Sequence, residues 1–112
     1  SYAKAAMHFG TFVADNRGHY FAASAALHQG MALEQQSKYK EAAEVYHANL
    51  QKLKENYATV DLLYHYARML EKQEKYDKAK KNYLMLVRNY GSKSSPYTDQ
   101  AKKRLVMLGV GS

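Results

Sequence analysis

The sequence predicts an all-α fold of about six helices, arranged as repeated helix pairs, and three observations carry that expectation. A lattice of Tyr, Ala and aromatic recurs at a spacing of 37: Tyr39, Ala42 and Tyr46 return as Tyr76, Ala79 and Tyr83, and run backwards to Tyr2, Ala5 and Phe9. A second series, Gly30 and Leu33 followed by Ala67 and Leu70, keeps the same spacing, so each unit has two segments of different signature. Apolar residues such as Ala42, Val45, Tyr46, Leu50 and Leu53, or Ala79, Tyr83, Leu86, Val87 and Tyr90, fall three and four apart, the mark of amphipathic helices.

The elements follow from helix starts and stops. A leading helix over residues 2–15 ends at Asn16-Arg17-Gly18, and a second over 19–36 ends at Gln36-Ser37-Lys38. The third, 39–55, stops at Asn56-Tyr57; the fourth, 58–73, at Gln73-Glu74-Lys75; the fifth spans 76–90. The last covers 96–109, with Pro96 in its first turn, where a missing N–H costs nothing. Residues 1–112 thus read as one domain: a leading second-type helix, repeats at 19–55 and 58–90, and a capping helix. Ala6, Phe9 and Val13 of the leading helix lack a partner first helix, which implies a piece of a longer protein or pairing with a second copy through the open ends of the stack.

Composition narrows the function classes. With 112 residues, 46% apolar and 24% charged, the chain has room for one small core. No Cys and a single Pro exclude a disulfide framework, a Cys-based zinc site, a thiol nucleophile and proline-rich tracts. No run approaches the roughly 18 apolar residues of a membrane span, so any anchor would lie outside this sequence. The charge of +7 is uneven: residues 1–37 are neutral, with Lys4 and Arg17 against Asp15 and Glu34, and all the excess falls in 38–112.

The residues Gly30, Leu33, Tyr39, Ala42 and Tyr46, with Leu63, Ala67, Leu70, Tyr76, Ala79 and Tyr83, resemble the tetratricopeptide repeat family, whose unit is two antiparallel helices. The resemblance implies a right-handed α-solenoid in which Gly30, Ala42, Ala67 and Ala79 allow close helix approach and Tyr46 and Tyr83 fill the wedges between pairs. Ala26 and Gln29 where large apolar residues are usual, Asn49 where a small one is common, and 37 in place of about 34 residues depart from the pattern. The phrase Tyr76 to Tyr83, then Asn89-Tyr90-Gly91 and Ser95-Pro96-Tyr97, is similar to bacterial envelope members of outer-membrane assembly, the Tol-Pal system and the translocon helper. That similarity implies a periplasmic or envelope location, with the cytoplasm as the alternative.

The resemblance further implies which residues face the concave groove: Ser24, Leu27, His28, Met31, Glu34 and Gln35 in one unit, and Asp61, Tyr64, His65, Arg68, Glu71 and Lys72 in the next. The partner-binding residues expected are Leu27, His28, Met31, Gln35, Tyr64, His65, Arg68, Lys72 and Lys102, offering apolar anchors beside cationic points to a peptide or protein. His28 and His65 occupy matched positions, but with no His pair four apart and no evident third ligand they do not read as a metal site. Eleven tyrosines could stack nucleic-acid bases, yet Tyr39, Tyr46, Tyr76 and Tyr83 belong to the lattice, leaving Tyr20, Tyr57, Tyr64 and Tyr97 as exposed contacts.

Lys75, Lys78, Lys80, Lys81 and Arg88, followed by Lys102, Lys103 and Arg104, make the last two helices basic. They offer a second reading, binding of an anionic polymer such as nucleic acid, acidic lipid or acidic protein. The carboxylates are read as surface groups paired along helices, as Lys40 with Glu44 and Glu74 with Lys78. No phosphate loop, nucleophile elbow or zinc helix is present, so the expectation is a non-catalytic interaction scaffold without cofactor.

Overall fold

A computed structural model describes residues 22–52, 58–91 and 95–110. Among them are five α-helices and no strand: α1 (Ala22–Gln35), α2 (Tyr39–Lys52), α3 (Thr59–Lys72), α4 (Tyr76–Tyr90) and α5 (Pro96–Met107). The helix expected over 2–15, and residues 19–21 and 53–55 of two others, lie outside the described residues. Elsewhere the expected ends agree within two residues.

Two turns join the hairpins in the same way. At the end of α1 the Lys38 N–H donates to Leu33 O at 3.0 Å and the Ser37 N–H to Glu34 O at 2.8 Å; after α3, Lys75 donates to Leu70 O and Glu74 to Glu71 O, both at 2.9 Å. These are Schellman turns, which satisfy the last carbonyls of a helix by putting the residue after it in the left-handed region. Ser37 and Glu74, 37 apart, hold φ values of 60° and 62° there without being glycine. The end of α5 repeats the pattern through Val110 to Leu105 and Gly109 to Val106, with Gly109 at φ 86°. A different device opens α5: Ser95, in extended backbone, accepts the Tyr97 N–H at 3.2 Å, and Pro96 sits in the first turn.

Packing follows the small-against-large rule that the lattice predicts. Ala42, Tyr46, Ala67, Ala79 and Tyr83 are fully buried. Around Tyr46 gather Ala23, Ala26, Ala42, Ala43, Leu62 and Met69; around Tyr83 gather Leu63, Ala67, Leu70, Ala79, Leu86, Ala101 and Leu105. The helix common to both clusters is α3, which turns Leu62 and Met69 towards the first and Leu63, Ala67 and Leu70 towards the second. It is therefore apolar on most of its circumference, as a helix packed on two sides must be.

Each helix packs on the next in sequence, and in addition α1 touches α3 and α3 touches α5, whereas α2 and α4 do not touch. Asn49, at a position where a small residue was expected, is buried and turns its side-chain amide back to Val45 O at 2.8 Å, so its polarity is satisfied within α2. The end helix α5 buries Thr98, Ala101 and Leu105 against the core and leaves Lys102, Lys103, Val106 and Met107 outward.

Candidate functional site

A polar clasp occurs twice, once across α1, α2 and α3 and once across α3, α4 and α5. Glu34 near the end of α1 accepts a short hydrogen bond from the Tyr46 hydroxyl of α2 and a 3.4 Å contact from Arg68 of α3. One unit on, Glu71 of α3 accepts the Tyr83 hydroxyl of α4 at 3.0 Å and the Arg104 Nε of α5 at 3.1 Å, with a second, closer bond from the same guanidinium. Tyrosine, carboxylate and arginine thus tie three successive helices together, twice over.

The clasps fix the protonation of their carboxylates. Burial alone would raise both, but His65, Tyr46 and Arg68 around Glu34, and Arg104 and Tyr83 around Glu71, more than offset it and hold both below the usual carboxylate range. Tyr46 and Tyr83 are pushed far above an ordinary phenol by burial and by the carboxylates they face. The Glu71 partnership raises Arg104 further, which keeps it charged. Burial moves Asp61 upward, with the charge of His65 opposing.

Tyr64 and His65 do not offer the open contacts expected of them. Tyr64 is 5% exposed, its hydroxyl donates to Gln100 Oε1 at 2.7 Å, and its ring lies 4.9 Å from that of Tyr97. His65 is enclosed by Tyr46, Tyr64 and Tyr97 at ring distances of 5.5–5.6 Å, with Nδ1 3.5 Å from Glu34 Oε2 but making no hydrogen bond among the described residues. The cause is α5, which lays Tyr97 and Gln100 over this part of α3. Tyr97 is accordingly half-buried and not a free stacking platform.

What remains open is a cleft of about 250 Å³ lined by Arg68, Glu71, Lys72, Tyr76 and Arg104. Three cations against one carboxylate give it a positive balance, and Lys72 extends over the Tyr39 ring at 5.9 Å. Of the residues expected to face the groove, the structure brings Arg68, Glu71 and Lys72 together here. Met31 and Gln35 are exposed on α1, Leu27 is half-buried against the Tyr46 cluster, and His28 is exposed with Nδ1 2.7 Å from Ser24 O. Lys102 is exposed on α5 but does not line the cleft; Arg104 does. The expected pairs Lys40 with Glu44 and Glu74 with Lys78 do not form, and these exposed ends stay in solvent, where such pairs contribute little.

The sequence offered Arg104 only as one of the basic residues of the last helix; its place in the cleft, and the clasp roles of Glu34 and Glu71, come from the structure. The signal available was that both carboxylates and both tyrosines recur at 37, so a bond made by one pair is offered to the other. No His, Asp or Glu groups of three converge as a metal site among the described residues, and no described helix is long and apolar enough to cross a membrane. The cleft can present fixed cationic donors to a carboxylate; it aligns no nucleophile with a base. No family model, curated protein or solved structure matches the chain, so its function rests on the geometry of these helices.

Proposed function

We propose that the chain is a tetratricopeptide-like, right-handed α-solenoid serving as a non-catalytic interaction scaffold, and that it holds an acidic peptide segment of a partner protein along α1, α3 and α5. The observation that carries this reading is the open cleft with Arg68, Lys72 and Arg104 on its walls and Tyr76 at its edge. Guanidinium and ammonium groups already fixed by neighbours pair with carboxylates at little further loss of side-chain freedom. Exposed Met31 and half-buried Leu27 on the same helix set supply apolar anchors, and His28, Gln35 and Lys102 flank them.

Solenoid curvature is supported by the contacts between first helices, α1 with α3 and α3 with α5, against none between α2 and α4. Such asymmetry wraps first helices inward and gives a concave face for a ligand. The envelope-like phrases at Tyr76 to Tyr83 and Ser95 to Tyr97 favour a bacterial envelope assembly or secretion complex as the setting.

The test is fluorescence anisotropy with short labelled peptides rich in Asp and Glu, against neutral and basic peptides of equal length. Lys72→Glu and Met31→Glu, both at exposed positions, are to be measured beside the wild type. Selective binding of acidic peptides that Lys72→Glu abolishes is the expected result. Equal affinity for all three peptide classes, or no effect of either substitution, removes the reading.

A further inference from the structure

The outer face of α4 departs from the repeat in a way that the core does not. Counting back 37 residues, Lys80, Lys81, Leu84, Met85 and Arg88 replace Ala43, Glu44, His47, Ala48 and Gln51 of α2. Of these, Ala43, Glu44 and His47 line a shallow site of about 140 Å³ on α2, beside Tyr66 of α3, whose ring stacks on His47 at 5.0 Å. On α4 the corresponding notch opens to about 550 Å³, floored by Leu84, Met85 and Val110 and rimmed by Lys80, Lys81 and Arg88.

Two features of this notch point to a partner. Its floor leaves apolar surface in water: Met85 is 44% exposed, and Leu84 and Val110 are only half-buried. Its rim carries three cations against the single acid Asp77, and none of the three is ion-paired among the described residues, unlike Arg68 and Arg104 of the cleft. A solvated lysine face would not need the apolar floor, and an apolar helix would leave the cations without partners. We propose that the notch is a second docking surface, distinct from the cleft, for an amphipathic helix of a partner protein with leucine-like residues on one face and Asp or Glu along its flanks. Apolar side chains of that helix fill the floor, where the flexible Met85 adapts to them, and its carboxylates meet Lys80, Lys81 and Arg88.

The experiment is a ¹H–¹⁵N titration of the whole chain with a designed helical peptide bearing Leu on one face and Glu on the flanks. A scrambled peptide of identical composition and vesicles of anionic phospholipid are run in parallel. The expected result is saturable shifts confined to the outer face of α4 and to Val110, with Met85→Ser and Lys81→Glu each weakening Kd by about tenfold, the scale of one buried apolar side chain. Both substitutions are at exposed positions. Equal binding by the scrambled peptide overturns the proposal, as do shifts centred on Arg68, Lys72 and Arg104 or capture by vesicles without capture of the peptide. Because Lys72→Glu disables the cleft alone, loss of one surface is distinguishable from loss of the other.

Discussion

Replacing Gly30 by alanine probes the close approach of α1 to the Tyr46 ring of α2. A Cβ at this position would lie 2.1 Å from Tyr46 Cε1, 2.3 Å from Cζ and 2.7 Å from the hydroxyl oxygen, where ordinary contact begins at 3.4 Å. Tyr46 is fully buried, so its ring cannot swing into solvent and must retreat through packed neighbours by more than an ångström. Overpacking of this kind costs about 1–3 kcal/mol. The retreat also draws the hydroxyl off Glu34, and a hydrogen bond to a charged acceptor contributes about 1.5–3 kcal/mol. Against this, alanine favours helix over glycine by about 1 kcal/mol.

The net loss is about 2–4 kcal/mol, or a Tm lower by about 8–20 °C for a chain of this size. Urea and thermal unfolding followed by circular dichroism at 222 nm measure it. The matched position in the second unit already carries Ala67, packed in the Tyr83 cluster, so Ala67→Gly serves as the contrast and loses only about 1 kcal/mol. A Gly30→Ala protein that melts at or above the wild type would refute the reasoning, because the helix-propensity gain would then be acting without any clash against Tyr46.

Three further outcomes follow from the turns and clasps. Ser37→Gly and Glu74→Gly relieve left-handed strain at two Schellman turns, and each should raise stability by about 0.5–1 kcal/mol in urea unfolding. Glu34 and Glu71 have folded pKa values below their unfolded ones, so their contribution is complete above the unfolded value near 4.5 and is lost as the pH falls through the lower folded values. Asp61, shifted upward, acts in the opposite sense, and the Tm of Glu34→Gln/Glu71→Gln should vary less below pH 4.5 than that of the wild type. A double-mutant cycle between Glu71→Ala and Arg104→Ala should return a coupling of about 1 kcal/mol, reduced by the partial exposure of the arginine.

The helices were legible because a 37-residue lattice marks the positions that must be small or large. Tyr46 and Tyr83, Ala42 and Ala79, and Gly30 and Ala67 all occupy the buried places that the pattern gives them. The site was less legible, for two physical reasons. The same lattice position meets different neighbours along a stack: Leu27 and His28 of α1 are half-buried and exposed, whereas Tyr64 and His65 of α3 lie beneath Tyr97 and Gln100 of α5.

Secondly, the period does not run on into α5. Leu33 and Leu70 close their turns 37 residues apart, but the equivalent Leu105 follows after 35 and Arg104 follows Arg68 after 36, so no single spacing places Arg104 against Glu71. Partners drawn from three helices leave no trace in the spacing along any one of them. Glu34 and Glu71 therefore read only as groove-facing carboxylates, although each is the centre of a clasp.

Contact between successive first helices, without contact between α2 and α4, gives the molecule a spine along α1, α3 and α5. Opening the outer edge like the pages of a book separates no surfaces shared by α2 and α4. Flexing the other way pulls directly on the Glu34–Arg68 and Glu71–Arg104 links. Resistance on that side comes from the two ion pairs together with the apolar packing of Tyr97, Ala101 and Leu105 of α5 on α3, whereas α2 and α4 share no such packing to lose.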